Sequence, residues 1–335
     1  MQKGHEMAKL LRALIGRPKG VFAFGVSTPP EAIAVQRVHA ALYLGGYAAS
    51  AVRGFTDHGI ITETEMLQHM QYITEVATVP CIGDADDCYG GVLNVRRTVR
   101  DFLERTSLAA IHIEDQVSPK RCGHIAGKKV LPLETALGKL RAALSVRNEI
   151  DPVRIIIART DAFGAAGFNK DERYGGDLKE AVRRGVLYAR AGADLVWCEF
   201  HAADATSAEA FAEAMHHELR EDFPDYPLAI NISPSFQDWL TCKNPLSAEN
   251  LQKWGYKLPF STYPALQAAV HAVHEAALEF KEDYVDGIKK LRSRVTGGPA
   301  ESIMKLMGVE KALLFEKEFD PEAGERQKGS DGFKV

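Results

Sequence analysis

Eight short apolar segments rich in β-forming residues recur along the first 265 residues: Val21–Phe24, Ala41–Leu44, Pro80–Asp84, Ala109–Ile113, Val153–Arg159, Asp194–Glu199, Pro227–Ile232 and Leu258–Thr262. Stretches with 3.6-residue periodicity lie between most of them, among them Val92–Leu103, Leu133–Arg147, Leu178–Ala191 and Ala208–Leu219. Strands that alternate with helices pair in parallel through right-handed crossovers. Eight such units in roughly 260 residues match an α/β fold of the closed (β/α)8 TIM-type barrel. A doubly wound open sheet is the alternative.

After Ala265 the pattern changes. Leu266–Phe280 and Tyr284–Val295 read as amphipathic helices, Pro299–Phe315 as helix and turn, and Asp320–Val335 as a charged, flexible tail. The expected organisation is a catalytic barrel domain over 1–265, with an N-terminal helix, and a helical extension over 266–335. Its apolar face is expected to pack either on a neighbouring subunit or on its own barrel.

Composition narrows the functional class. With 41 basic and 45 acidic residues the formal charge is -4, against the basic footprint of a nucleic-acid binder. No apolar run approaches the ~18–20 residues that span a bilayer, so no membrane partner is expected. The first twenty residues mix charges into their apolar positions and make a poor secretory signal. Five cysteines, Cys81, Cys88, Cys122, Cys198 and Cys242, form no CxxC pair, and their number is odd. A reducing cytoplasmic compartment is the expectation.

Chemistry-bearing side chains collect where the segments end: Tyr43, Asp84 and Asp86, His112 and Glu114, Arg159, Glu199, Asn231 and Thr262. In a parallel barrel those ends form one rim, where active sites are built. Period-2 alternation would place Asp84 and Asp86 on one face, a pair suited to a hard cation such as Mg²⁺ with water and substrate oxygens completing its shell. Glu114 can complete or orient that shell. His112, taken alone, is more often a hydrogen-bonded structural residue. In Lys120-Arg121-Cys122-Gly123-His124 a cysteine sits among cations, which predicts a lowered thiol pKa on a mobile loop. Arg159, on the face of Ile155 and Ile157, suits a carboxylate, and Asn231, Ser233, Ser235 and Thr262 add an amide and hydroxyls. An acidic metal site, a cationic cysteine loop and a hydroxyl-rich pocket together describe a polycarboxylate substrate chelating Mg²⁺.

At these residues the chain resembles the isocitrate lyase/phosphoenolpyruvate mutase superfamily, from about Ala41 to Leu266. The segments that carry the resemblance are GDADDCYGG, HIEDQ, KRCGH, IIIARTDA, ADLVWCE, NISPSF and GYKLPFST, in family order. KRCGH is specific to the lyase branch, whose cysteine is the catalytic acid. The resemblance implies a barrel, Mg²⁺ (with Mn²⁺ able to substitute) and a homotetramer that exchanges C-terminal helices. It makes Asp84, Asp86 and Glu114 the metal-sphere residues, with Asp57 nearby. It makes Cys122 the acid, with Lys120, Gly123 and His124 in its loop, and sets Tyr43, Arg159 and Glu199 around the hydroxyacid half of the substrate. Tyr43 is the matched base, with Glu199 or metal-bound hydroxide as alternatives.

The chain also departs from the family pattern. Gly45-Gly46-Tyr47 stands where isocitrate lyases usually read Ser-Gly-Trp, so a serine hydroxyl expected at the glyoxylate carboxylate is absent, and backbone N–H groups could substitute for it. Phe163–Asp177 is shorter than the matching isocitrate lyase region, and the whole length is closer to the methylisocitrate and dimethylmalate lyases. NISPSF and GYKLPFST look more like isocitrate lyase. The expected activity is Mg²⁺-dependent carbon–carbon cleavage of a 2-hydroxy di- or tricarboxylate, first of all isocitrate to succinate and glyoxylate. The alternatives are a pyruvate-releasing lyase for 2-methylisocitrate or 2,3-dimethylmalate, a member acting on oxaloacetate or phosphonates, and a catalytically idle binding relative.

Overall fold

The computed structural model describes residues 2–168, 178–200, 205–233 and 245–326. All eight expected strands form: β1 Ala23–Gly25, β2 Leu42–Leu44, β3 Cys81–Asp84, β4 Ala110–Glu114, β5 Ile155–Thr160, β6 Leu195–Cys198, β7 Leu228–Asn231 and β8 Tyr256–Ser261. Every neighbour pairs in parallel and β8 returns to β1, which closes the barrel and removes the open-sheet alternative. The helices on the outside include α1 Gln2–Ile15, α2 Pro29–Val35, α3 Gly46–Ala51, α4 Glu63–Val76, α5 Val92–Arg105, α6 Leu133–Ile150, α7 Ala162–Phe168, α8 Leu178–Ala191 and α9 Ala205–Leu219. Their starts are specified locally. Thr28 and Glu31 form a reciprocal capping box at α2, and Thr62 and Glu65 do the same at α4.

Alternation along the strands separates two cores. Leu42, Ile111, Ile156, Val196 and Ile230 point outward under the helices, where Leu137, Leu140 and Leu144 of α6 meet them in one buried cluster. Tyr43, Ile82, Ile155, Ile157, Leu195, Trp197, Leu258 and Phe260 fill the interior. Near its carboxyl end the interior holds a layer of four rings from alternate strands. Tyr43 stacks on Phe260 at 4.3 Å and on His112 at 5.6 Å, while Trp197 meets His112 and Phe260 edge-on at 4.9 and 4.8 Å. The residues next along the same inward series are the polar ones.

The opposite mouth is closed by α1, whose Ala8, Leu11, Leu14 and Ile15 join the interior cluster. Charges stitch it in place. Asp194 accepts from Arg12 at 2.8 Å and from Arg147 at 2.7 Å, and the buried Arg154 bonds Asp151 and the Leu108 carbonyl.

The chain divides into a unit over Met1–Leu266 and a second over Gln267–Val335. In the second, Asp283 caps the helix Tyr284–Val295 through the amides of Val285 and Asp286, and Arg294 grips Glu279 with two 2.7 Å bonds. None of the described helices is long and apolar enough to cross a membrane.

Leu11 is fully buried where α1 meets the barrel floor. Leu11→Ala should cost ~2–5 kcal/mol of folding stability, read as a lower urea midpoint, with the outline of the far-UV spectrum retained.

Candidate active site

Fourteen residues expected at the site line one cavity at the carboxyl ends of the strands: Tyr43, Gly45, Tyr47, Asp57, Asp84, Lys120, Cys122, Gly123, His124, Arg159, Glu199, Asn231, Ser233 and Thr262. Trp197 and Tyr263 complete the lining. Only about 30 Å³ is left open inside, roughly one water's share of liquid volume. Gly46, Asp86 and Glu114 lie just outside this lining, and Ser235 lies outside the described residues, as do Cys242 and the 169–177 part of the shortened stretch.

The acidic cluster is built on β3 and the turn after it. Gly46 N–H donates to Asp84 Oδ2 at 2.8 Å, and Asp86 N–H donates to Asp84 Oδ1 at 2.9 Å. A Cβ on Gly46 would lie 2.9 Å from Asp86 Oδ1, so only glycine allows this approach. Alternation is not what brings Asp86 in. The strand ends at Asp84, and Asp86 adopts a left-handed backbone, φ 48°, followed by Cys88 and Tyr89 in the same region. Lys120 Nζ sits 2.6 Å from both Asp57 Oδ1 and Asp86 Oδ1. Burial pushes Asp86 up to about 7 against the pull of Lys120, and the charges of Asp84 and Asp57 add to the rise.

Glu114 turns toward Arg159 Nη1, 3.1 Å away, rather than toward the aspartates. Its Oε1 is buried without a hydrogen-bond partner among the described residues, and burial holds the carboxyl well above its usual range. Among the described residues no three His, Cys, Asp or Glu side chains converge to enclose an ion. The donor set still fits a hard divalent cation. Asp84 and Asp86 are oxygen donors whose mutual repulsion a cation relieves, and Mg²⁺ commonly uses one or two carboxylates with waters and substrate oxygens.

Arg159 is already engaged. Its Nε and Nη2 form a fork on Asp161 at 2.8 and 2.9 Å, and its guanidinium lies 4.4 Å from the Trp197 ring centre. The expected bidentate grip on substrate is thus taken by Asp161, two residues further along the same strand face. Glu199 Oε1 lies 2.7 Å from His124 Nε2. Burial opposes ionisation of Glu199, but Arg159 and His124 outweigh it and hold the carboxyl below its usual range. Tyr43 is hydrogen-bonded to His112 Nε2 at 2.8 Å, and burial, with Asp84, raises its hydroxyl well above 10. His112 is the structural histidine expected, buried and held neutral near pKa 4 by desolvation.

Cys122 corrects one expectation. Burial pushes its thiol up to about 12, and the Asp57 charge adds to the rise. Of the cations beside it in sequence, Lys120 is shared by two aspartates, Arg121 bonds the Ala126 carbonyl and His124 faces Glu199. The loop itself is fixed by Cys122 N–H donating to the Asp57 carbonyl at 2.9 Å. Gly123 is packed so closely that a Cβ would fall 2.3 Å from Glu199 Oε1. On the far side Asn231 at the end of β7 and Ser233 just after it are buried and Thr262 is half-buried after β8, while Tyr47 stacks on Tyr263 at 4.4 Å.

Three contributors escaped the sequence reading. Trp197 and Asp161 lie two residues before Glu199 and two after Arg159, so period-2 alternation could have found both. Lys128, in the loop after Cys122, carries no periodic signal.

A neutral Cys122 thiol predicts slow alkylation. Iodoacetamide labelling, followed at the peptide level, should keep rising from about pH 7 to about pH 10 without the plateau expected of a thiol near its ordinary value of about 8.5. A plateau below about pH 8 would show a cation-activated thiolate instead.

The sequence family described as phosphoenolpyruvate phosphomutase matches residues 29–281. An isocitrate lyase of Haloferax volcanii is 39% identical over 98% of this chain and 91% of its own length. A 2-methylisocitrate lyase of Aeropyrum pernix is 37% identical over 85% of this chain and 84% of its own length. Among solved structures, a 2,3-dimethylmalate lyase superposes with a TM-score of 0.77 at 28% identity, covering 98% of this chain and 99% of that one. With the closed barrel and the rim residues in family order, these likenesses establish that the chain is an enzyme of the phosphoenolpyruvate mutase/isocitrate lyase superfamily.

Proposed function

We propose that the protein is a Mg²⁺-dependent carbon–carbon lyase that cleaves isocitrate to succinate and glyoxylate. The observation that carries this reading is one cavity holding a protonated thiol, Cys122, beside the ionised Glu199, with Asn231, Ser233 and Thr262 on another wall. Such a site can take a proton from a substrate hydroxyl and return one to the carbon next to the one that bears it. The 39% identity to an isocitrate lyase supports the substrate.

A bound divalent ion supplies Lewis-acid lowering of the substrate hydroxyl's pKa, and Asp84 and Asp86, with Asp57 and Glu114 beside them, are the residues that would hold it or its waters. Glu199 takes the C2 hydroxyl proton, steadied by His124. Tyr43, its hydroxyl paired with His112 Nε2 and its pKa raised by burial, stays neutral and does not act as the base. As the C2–O⁻ becomes the aldehyde of glyoxylate, the C2–C3 bond breaks and its electron pair is left on C3, delocalised into the adjoining carboxylate. Asn231, Ser233 and Thr262, with Ser235 by resemblance, donate hydrogen bonds to that developing charge. Cys122 then delivers its proton to C3, which completes succinate, and the thiol is restored from solvent or from Glu199. The Gly45 amide, at the N-cap of α3, takes the place of the missing serine, the Gly46 amide being held by Asp84.

A second reading, release of pyruvate from a methylated homologue, is favoured by the 37% identity to a 2-methylisocitrate lyase. One methyl is worth only ~1–3 kcal/mol of discrimination. The stacked Tyr47–Tyr263 pair narrows the cavity lining, which supports the smaller product. We also propose a homotetramer that exchanges C-terminal helices. The helix Pro264–Glu282 buries none of its residues, and Val270, Val273, Phe315 and Phe319 are more than half exposed.

Glyoxylate release from racemic isocitrate should require Mg²⁺ and stop in EDTA. Well-folded protein that yields pyruvate from 2-methylisocitrate but no glyoxylate from isocitrate would transfer the assignment to the second reading. Cys122→Ser should fold normally and lose cleavage by several orders of magnitude, roughly the 10²–10⁴-fold contribution of a positioned acid or more. Near-normal turnover of that variant would remove Cys122 from the chemistry.

A further inference from the structure

We propose that Lys128 is a positioning residue, a second lysine anchor that holds the Cys122 loop down on the barrel rim and fixes Arg159 through Asp161. The lyase reading above supplies what the loop carries; the anchor itself stands on geometry. Lys128 lies in a loop, where a lysine is ordinarily solvated, yet its side chain is fully buried. Its Nζ donates to Asp161 Oδ1 at 2.8 Å, and Asp161 is itself fully buried. Burying an ammonium is costly unless a carboxylate meets it, so this pair forms only when the loop is down.

Besides backbone and Gln116 hydrogen bonds at Cys122, Arg121 and Lys129, charged side chains tie the loop to the barrel at Lys120, His124 and Lys128. Lys120 joins it to Asp57 and Asp86, His124 meets Glu199, and Lys128 closes the far end on Asp161. Cys122 lies between the two lysines, so its place above the cavity depends on both. Asp161 Oδ1 is shared by Lys128 Nζ and Arg159 Nη2, and this shared oxygen makes the orientation of the arginine depend on the lysine. Lys128 does not line the cavity. It acts through Asp161 and the loop backbone, without touching substrate.

The packing offers an independent way to disturb the anchor. Gly164 of α7 lies against the lysine, and a Cβ there would fall 2.3 Å from Lys128 Nζ. Gly164→Ala therefore pushes the ammonium off Asp161 while leaving every charge in place, and alanine favours the helix.

The test compares wild type, Lys128→Met and Gly164→Ala by hydrogen exchange and by isocitrate cleavage. Amide exchange over residues 118–127 should accelerate about tenfold in Lys128→Met, as the closed loop becomes a smaller fraction of the population. Gly164→Ala should accelerate it in the same direction to a smaller extent. Exchange in β1 to β8 should stay unchanged, which separates a loosened loop from a weakened fold. Iodoacetamide labelling of Cys122 should rise with the loop exchange, and kcat/KM for isocitrate should fall about tenfold. If Lys128→Met does not fold, Gly164→Ala decides alone. Unaltered loop exchange in the folded variants overturns the proposal, and so does acceleration spread evenly over the barrel. Failure of the wild type to release glyoxylate counts against the lyase reading, while the anchor is judged on exchange and labelling.

Discussion

A guanidinium buried at the carboxyl end of β5 organises the electrostatics of the whole rim. A cation in that position needs anions around it, and Arg159 draws Asp161 into a fork, Glu114 to 3.1 Å and the ionised Glu199 to its side. The Trp197 face beneath it adds a cation–π contact. Two of those acids then have a second commitment. Asp161 takes Lys128, Glu199 takes His124, and the two loop residues are thereby tied to the barrel. The arginine expected from sequence to hold substrate is the centre that links loop, Glu199 and strand ends.

The ring layer below makes that centre rigid. Tyr43, His112, Trp197 and Phe260 come from β2, β4, β6 and β8 and touch in sequence. Aromatic contacts at these separations leave little room for the strands to slide past one another. A shift of one residue in any strand would turn its rim side chain to the outside. The inward series Tyr43, Ile157–Arg159, Trp197–Glu199 and Phe260–Thr262 therefore fixes both the floor and the site with one register. Stability at the barrel interior and precision at the rim have the same origin.

This also explains what could be read from the sequence. Strand positions, the barrel and the strand-end residues follow from period-2 alternation, which survives into the fold because parallel strands are buried on both faces. Arg159 lies on the face of Ile155 and Ile157 for that reason. Side chains on turns obey no such rule. Asp86 reaches its neighbour through a left-handed backbone, and Lys128 reaches Asp161 across 33 residues of chain. Glu114 lies on the correct face but answers the stronger field of Arg159 instead of joining the aspartates.

The thiol of Cys122 shows why counting charges along a sequence misjudges a pKa. Coulombic pull depends on distance and on whether a charge is already met. Three cationic or titratable neighbours surround the cysteine in sequence, yet Lys120 is balanced by two carboxylates and the Asp57 charge acts on the sulfur in the opposite sense. Burial then decides, and the proton stays on. For the proposed lyase reaction a retained proton suits Cys122 better than the expected thiolate does. A group that must hand a proton to a carbanion has to hold that proton while the bond breaks, and a cysteine activated by uncommitted cations would already have lost it. Pairing Lys120 with Asp57 and Asp86 therefore does two things at once: it closes the loop, and it leaves the sulfur an acid.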